Sequence, residues 1–295
     1  MVGVAAVCGA SVWGVARYRS RSLTTAALLR RMPAEDALVA YIDFSALRRG
    51  GILELLDGSK AGEDPEYQSF VRQTQFDYQQ DLDAALVAFA PTGRFLLLKG
   101  RFDWKSLHAY VESQHGKCLN GFCSMIGSTP ERRISFFPVR SDLMALAVSP
   151  DGSAALRMQD AVSGPDPQVP AAPVWLSIPT SVLKSGDSLP AGTRVFASGM
   201  ERAETVTLAF APEGHGLAAR LDVRCREERD AADLASQLTH TTSLLRETMA
   251  GEHRKPNPAD LSGVLTAGAF RNEGRRVLGY WPIERAFVQN VLGGQ

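Results

Sequence analysis

Cysteine and histidine are the residues of this chain whose chemistry depends most on spacing. Cys118 and Cys123 are separated by four residues in the segment KCLNGFCS. A Gly-containing loop of this length can bring two cysteines together, so the pair is a candidate disulfide in an oxidising compartment and two free thiols otherwise. With His115 the pair offers three soft metal ligands, but the spacing matches no standard zinc pattern and a fourth ligand is missing. We therefore predict no metal site.

Residues suited to catalysis or cofactor binding form no recognisable pattern. No serine lies in a Gly-x-Ser-x-Gly elbow. The five histidines are scattered along the chain: His108, His115, His215, His240 and His253. His108 lies beside Leu107 on an amphipathic helix, which is typical of a surface residue. The acidic segment FDYQQDLD lacks the central glycine of a calcium loop, and DGSKAG lacks the order of a phosphate-binding loop. The sequence predicts no catalytic, cofactor-binding or metal-binding residue.

Composition excludes several classes of protein. Of 295 residues, 45% are hydrophobic and 22% are charged, which is typical of a folded globular chain. The 32 basic and 32 acidic side chains cancel, so there is no electrostatic footprint for nucleic acid. Four cysteines in this length exclude a small fold held together by disulfides.

The N-terminal segment is typical of a membrane anchor. Residues 2–16 are uncharged and apolar or small. A helix of this length covers only about 22 Å, short of the ~30 Å hydrocarbon core, so we expect the true start of the protein to lie upstream. Aromatic and basic residues follow at the expected membrane interface: Trp13, Arg17, Tyr18, Arg19 and Arg21. We predict a transmembrane anchor over residues 1–21, with a buried N-terminal helix as the alternative.

Two observations disagree on the orientation of this anchor. The positive-inside rule applied to Arg17, Arg19 and Arg21 places the rest of the chain in the cytoplasm. Basic residues upstream of the present start would reverse that orientation, and a Cys118–Cys123 disulfide needs an oxidising compartment. We predict a single pass of the inner cell membrane with most of the chain periplasmic or otherwise extracytoplasmic. The cytoplasm-facing alternative predicts that both cysteines stay reduced in cells.

Five segments follow one another along the chain. After the anchor, residues 22–33 are predicted to form a helical stalk that ends at Pro33. Residues 34–162 and 174–295 are predicted to be two α+β repeats. Residues 163–173, SGPDPQVPAAP, lie between them and are typical of an extended, proline-rich linker.

The two halves share four elements in the same order. FAPTG at 89–93 and FAPEG at 210–214 each lie between two apolar strands, and each hairpin precedes a helix. The first of these helices is predicted to begin at Asp103, a suitable N-cap. VAYIDFSALR at 39–48 matches VWLSIPTSVLK at 174–184, and a hairpin at 134–150 matches residues 265–282. We infer an internal duplication of strand, helix, hairpin, helix, hairpin and helix.

Hydrophobic alternation indicates the fold class. In the second half, Val206 and Leu208 share one side of a strand, as do Leu221 and Val223 of the next. Such strands belong to antiparallel sheets with one packed and one wet side. We predict an α+β fold of two related halves, each an antiparallel sheet with helices on one face, preceded by a membrane helix. The sequence does not indicate whether the two sheets join.

Four aromatic residues lie in or beside the matched terminal hairpins: Phe136, Phe137, Tyr280 and Trp281. Core packing explains them. The alternative is an apolar face for a ligand or partner, and we retain these four as its candidates.

The segment RRMPAEDALVAYIDFSALRRGG resembles the start of the mature region in uncharacterised, membrane-anchored bacterial proteins. In that group a phrase with Pro-Ala-Asp leads into the first strand; here Pro33, Ala34 and Asp36 carry it, with Glu35 inserted. FDYQQDLD and STPERRISFFP are further similar phrases. The resemblance implies an exported, anchored domain and transfers no catalytic residue.

The function predicted from these patterns is non-catalytic. We predict a membrane-anchored envelope protein that binds a protein partner or an apolar ligand, for example as an accessory subunit of a membrane complex. The alternative is a hydrolase-like envelope enzyme whose site is assembled between the two halves from residues distant in sequence.

Overall fold

The computed structural model describes residues 24–53, 65–129, 131–185, 200, 203–214 and 216–292. The predicted anchor, with its interface residues Trp13, Arg17, Tyr18, Arg19 and Arg21, lies outside these ranges. Among the helices that are described, none combines the length and the apolar character needed to cross a bilayer.

Within the described residues, twelve strands form one sheet, and every pair of neighbouring strands is antiparallel. The strands are β1 Leu38–Ile42, β2 Leu82–Ala90, β3 Gly93–Gly100, β4 Lys117–Leu119, β5 Phe122–Ile126, β6 Arg133–Arg140, β7 Leu143–Ser149, β8 Val174–Pro179, β9 Ala203–Glu213, β10 Gly216–Cys225, β11 Ala269–Glu273 and β12 Arg276–Ile283. The predicted antiparallel α+β class is confirmed.

Helices and turns connect the strands. The α-helices are α1 Thr25–Leu29, α2 Phe44–Arg49, α3 Pro65–Thr74, α4 Tyr78–Asp81, α5 Trp104–Ser113, α6 Thr180–Ser185, α7 Glu228–Gly251, α8 Leu261–Thr266 and α9 Arg285–Leu292. A 3₁₀ helix covers Ala154–Met158. The helix predicted from Asp103 is confirmed, with Asp103 as its N-cap.

The strand order is β11-β12-β10-β9-β8-β1-β2-β3-β7-β6-β5-β4. Strands β1 and β8 pair at the middle, with Tyr41 opposite Trp175. We call β1–β7 the first arm and β8–β12 the second arm. From the centre outward, the first arm runs β1, β2, β3, β7, β6 and the second runs β8, β9, β10, β12, β11; the hairpin β4–β5 extends the first arm alone. The sheets of the two sequence halves therefore join into one.

Side chains opposite one another on paired antiparallel strands point to the same face. Val39, Trp175 and Arg220 lie on one face, which we call the front face. Leu98, Phe136 and Val223 lie on the other, the back face. In the second arm, helix α7 covers the back face with Leu234 and Leu238, as the alternation predicted.

The first arm differs from the prediction because helices cover both of its faces. Helix α1 and the 3₁₀ helix pack on the front face, where Leu28, Ala155 and Met158 join the strand residues in one core. Helices α3 and α5 pack on the back face. The strand sequences LDAALVAFA and LMALAVS explain this, because near-continuous apolar runs are typical of strands buried on both sides.

The segment predicted as a stalk is part of the domain. Helix α1 is capped by Thr24, whose hydroxyl accepts a hydrogen bond of 3.2 Å from the Ala27 N–H. Leu28 and Met32 are 4% and 6% exposed, so this segment packs on the front core and does not stand away from it.

Candidate functional site

A cavity of about 220 Å³ lies between the back face of the first arm and helices α3 and α5. Eleven of its lining side chains are aliphatic, aromatic or thioether groups, and the twelfth is a tyrosine. They are Phe70, Phe76, Leu98, Phe102, Leu107, Tyr110, Val111, Met125, Ile134, Phe136, Met144 and Leu146.

Helix α5 forms one wall of the cavity because its cap and its apolar stripe both orient it. The Asp103 carboxylate accepts hydrogen bonds from the N–H groups of Lys105 and Ser106, at 3.0 and 3.3 Å. Hydrogen bonds from the hydroxyl and the N–H of Ser106 lower the pKa of Asp103. Leu107 and Val111, four residues apart, are 5% and 1% exposed and face the sheet.

Aromatic contacts close the cavity on the side away from the sheet. The rings of Phe70 and Tyr110 meet edge to face, with centroids 5.1 Å apart. Phe76 and Phe102 stack at 5.4 Å. These contacts join α3, the turn before α4 and the start of α5 into one aromatic wall, and such pairs contribute packing energy beyond the area that they bury.

The floor of the cavity is the sheet itself. Cys123, Phe136 and Met144 are buried on the back face of β5, β6 and β7, in one cluster with Leu107 and Val111. Gly116, just after α5, allows the chain to turn back close to this helix. A Cβ at Gly116 would lie 2.5 Å from the Val111 Cγ1 atom and 2.8 Å from the Ser124 carbonyl oxygen.

This lining suits an apolar molecule. Ligand sites are concave and mostly apolar, and an apolar cavity of roughly 150 Å³ stays dry and takes up benzene. Tyr110 is the one lining residue with a polar side-chain group, and it already has a partner. The arrangement can hold a hydrocarbon or aromatic group by exclusion of water, and its lining has no nucleophile, acid or base other than a tyrosine.

A disulfide and a histidine adjoin this cluster. The structure bonds Cys118 to Cys123 across the β4–β5 hairpin, where the two residues are directly opposite with Cα atoms 4.1 Å apart. His108 on α5 is half-buried, and within the described part of the chain its buried Nε2 atom has no hydrogen-bond partner. The two Sγ atoms and one ring nitrogen of His108 lie within 4.8 Å of one another.

The histidine at this position differs from the sequence-based choice. His115 is exposed beyond the end of α5, with φ of 60°, and it is not in the cluster. His108 was predicted to be a surface residue, and that prediction is wrong for its Nε2 atom. His115 is nearer to Cys118 in sequence but lies beyond the end of α5, whereas His108 lies on the helix where the β4–β5 hairpin packs against it.

A second, larger groove of about 820 Å³ lies on the front face of the second arm, beside linker residues 168–172. Its charged groups are mostly paired. Arg220 contacts Glu213 at 3.1 Å, and Arg276 forms a short ion pair with Asp222. The Tyr280 hydroxyl donates to Glu213 at 2.5 Å, and this hydrogen bond raises the pKa of Tyr280.

The four candidate aromatic residues do not form one surface. Phe136 lines the cavity, whereas Phe137 points to the front face and packs on the other core of the first arm. Tyr280 is exposed on the front face of the second arm. Trp281 points to the back face against Phe270. The prediction of a common face is wrong, because adjacent residues in a strand point to opposite faces and the two hairpins lie in opposite arms.

The remaining sequence candidates have structural places. Asp77 caps helix α4, and the Asp81 carboxylate forms an ion pair with Arg101 at 2.9 Å. Cys225 is buried behind α7, and burial raises the pKa of its thiol. His215 lies outside the described residues.

Sequence reasoning missed the aromatic wall. Phe70, Phe76, Phe102 and Tyr110 come from two segments, and their grouping depends on how those segments pack. The one indication of this wall in the sequence is the concentration of aromatic residues in 67–78 and 102–110.

Comparison with known proteins gives a distant likeness. No protein-family model matches the chain, and no curated protein matches it. Among solved structures, the chain is similar to crystal form IV of TP0453, at 12% identity, with 94% of this chain and 99% of that chain covered and a TM-score of 0.48. Crystal form I of TP0453 gives the same identity and TM-score over 93% and 100% of the two chains.

Proposed function

We propose that this chain is a non-catalytic, membrane-anchored envelope protein that binds a small apolar ligand, a hydrocarbon chain or an aromatic ring, in the first arm. The observation that carries the proposal is the cavity of about 220 Å³. Its walls come from two helices and four strands, and a ligand there would transfer apolar surface from water to contact with apolar side chains.

The proposed location rests on two features. Residues 2–16 have the composition of a membrane anchor, and basic and aromatic residues follow it. The Cys118–Cys123 disulfide supports an oxidising compartment, which favours an exported domain over a cytoplasmic one. Binding a protein partner as an accessory subunit remains part of the proposal, with the exposed second arm available for it.

We also propose that the two arms are related by duplication. The support is the matched order of strands from the centre outward and the position of α5 and α7. Each of these helices follows the second strand of its arm's first hairpin, and each packs on the back face.

A binding titration tests the ligand. The full chain, purified in mild detergent, is titrated with N-phenyl-1-naphthylamine, an uncharged aromatic probe that fluoresces in apolar surroundings. The detergent is kept below its micelle concentration during the titration. We expect saturable binding of one probe per chain, and we expect alkanes or fatty acids to displace it.

Two neighbouring variants localise the binding. Met125→Trp places a large ring in the cavity, and we expect it to weaken probe binding at least tenfold. Ile126→Trp is the matched control, because Ile126 is 59% exposed and points to the opposite face. Equal binding by the two variants, or no saturable binding by the native chain, would overturn the proposal. If the chain binds protein partners but Met125→Trp does not weaken probe binding, only the proposed role as an accessory subunit would remain.

A further inference from the structure

Three soft ligand atoms meet at the edge of the first arm, and their residues do not belong to the lining of the apolar cavity. The Sγ atoms of Cys118 and Cys123 and a ring nitrogen of His108 all lie within 4.8 Å of one another. Two elements supply them: helix α5 gives the histidine, and the β4–β5 hairpin gives both cysteines. We propose that, when the disulfide is reduced, these three residues form a binding site for a thiophilic metal ion of the Zn²⁺ class.

The ligand set fits zinc chemistry. Zn²⁺ takes thiolate sulfur at about 2.3 Å and imidazole nitrogen at about 2.0–2.1 Å, in tetrahedral geometry. Ligand atoms around such an ion are roughly 3.3–3.8 Å apart. The two Sγ atoms are bonded to each other in this structure and must move apart after reduction, whereas a ring nitrogen of His108 already lies within 4.8 Å of both. Two cysteines and one histidine leave the fourth position for water or an added ligand, as in zinc sites that are not purely structural.

His108 is the residue that distinguishes this site from two adjacent thiols. Its Nε2 atom is buried and has no hydrogen-bond partner among the residues that the structure describes. Buried polar atoms without a partner are uncommon and call for an explanation, which a metal bond at this nitrogen would supply. Leu107 and Val111 hold this side of α5 on the sheet, so the imidazole position is set by core packing and not by a mobile loop.

Disulfide and metal exclude each other at this site. Reduction by an external dithiol transfers two electrons and two protons to the Cys118–Cys123 disulfide, which gives two thiols and the dithiol's own disulfide. Zn²⁺ binding then displaces the two thiol protons to solvent and forms two Zn–S bonds and one Zn–N bond. A small-molecule disulfide then oxidises the two zinc-bound thiolates back to the Cys118–Cys123 disulfide, takes up two electrons and two protons to become two thiols, and releases the ion. The site is therefore redox-controlled.

Cobalt and zinc titrations of the full chain test the proposal. The reduced chain is titrated with Co²⁺, whose thiolate charge-transfer absorption reports Co–S bonds directly, and Zn²⁺ is then added in competition. We expect one Co²⁺ per reduced chain, displacement by Zn²⁺, and no such absorption for the oxidised chain. A reduced chain without thiolate-to-cobalt absorption would overturn the proposal.

Variants separate this site from the other thiols and histidines. Cys118→Ser/Cys123→Ser keeps Cys8 and Cys225, and we expect it to lose the absorption entirely. His108→Ala is expected to weaken Zn²⁺ binding at least tenfold. His240→Ala is its matched control, since His240 is exposed on α7 and both changes place alanine in a helix. Equal affinities for His108→Ala and His240→Ala would refute the histidine as a ligand, whatever the outcome of the probe titration for the cavity.

Discussion

The first arm is covered on both faces, whereas the second arm is covered by α7 on its back face and carries exposed charge on its front face. Leu97 in β3 and Val223 in β10 are equally buried, so the difference does not lie in the quality of the core. It lies in the strand sequences. Strands of the first arm are apolar on both sides, while β10 places Arg220, Asp222 and Arg224 on the side away from α7.

Helices α5 and α7, which occupy matching positions on the back face of the two arms, differ in length and in capping. Helix α5 has ten residues and a side-chain cap at Asp103. Helix α7 has 24 residues, and Glu227 makes no side-chain capping bond at its start. A short helix gains little from its own hydrogen bonds and relies on its cap and on packing. The arm with the cavity therefore depends on local details that the second arm does not need.

Loss of Trp175 is expected to lower stability more than any other change considered, and it tests whether the two arms share a core. Trp175 belongs to the second arm but packs in the front core of the first, stacked on Tyr41 with centroids 5.7 Å apart. We expect Trp175→Ala to lower the free energy of unfolding by about 3–5 kcal/mol, because it removes a large buried side chain at the central strand pair.

Urea unfolding followed by circular dichroism measures this loss. Trp281→Ala is the control and should cost less, since Trp281 is only partly buried against Phe270. The arms do not share a core if Trp175→Ala lowers the free energy of unfolding no more than Trp281→Ala does, or if Trp175→Ala unfolds one arm alone.

The disulfide gives the next largest effect, confined to the first arm. Closing a loop of this size restricts the unfolded chain by about 2 kcal/mol in the chain-entropy model. We expect Cys118→Ser/Cys123→Ser to lose about that much stability by urea unfolding. Reduction of the native chain should give the same loss, and a loss found for the variant but not on reduction would point to the serines themselves.

Removal of a buried hydroxyl on α7 is expected to stabilise the second arm. Thr242 is 2% exposed, and its hydroxyl finds no hydrogen-bond partner in the described ranges. Thr242→Val keeps the shape and the helix propensity and removes this unsatisfied group, so we expect a gain of about 1 kcal/mol. Thr239→Val is the control, because the Thr239 hydroxyl donates to the Ala235 carbonyl at 2.8 Å. A loss of stability in Thr242→Val would indicate a bound water or another partner.

Acid should weaken α5 before α7. The pKa of Asp103 is lowered in the folded chain by its bonds to Ser106, so its contribution to stability is complete above the unfolded-state pKa. That contribution is lost as the pH falls through the lowered folded-state pKa. We expect hydrogen exchange in α5 to accelerate over this range in the native chain and not in Asp103→Asn, which keeps a cap without titrating. Equal acceleration in both would assign the effect to other carboxylates.

The smallest effect is expected on the exposed front face of the second arm. The side chains of Arg276 and Asp222 are 48% and 41% exposed, and solvent screens such a pair. Asp222→Asn should change the free energy of unfolding by less than about 0.5 kcal/mol. A larger loss would mean that another part of the chain covers this face.

Local patterns predicted local structure well. Alternation placed Leu221 and Val223 in the core, and the start of helix α5 at Asp103 was predicted from the local sequence. The cover on the front face of the first arm was not predicted. It depends on α1, which was expected to be a stalk, and on how residues 154–158 fold back.

At the candidate site, local sequence patterns identified one lining residue and not the others. Phe136 was selected from the sequence for its place in a matched hairpin, and it does line the cavity; Phe137, Tyr280 and Trp281 do not. The other aromatic lining residues lie up to 66 positions away from it, so no periodicity relates them.

Neighbours a few residues apart are enough to predict the antiparallel strands, the capped helix α5 and the possible pairing of Cys118 with Cys123. They do not predict that His108, and not His115, lies beside the two cysteines, or that α3 meets α5 over a cavity. Both depend on how the hairpin β4–β5 and helix α3 pack against α5, and packing between segments distant in sequence is set by the whole core.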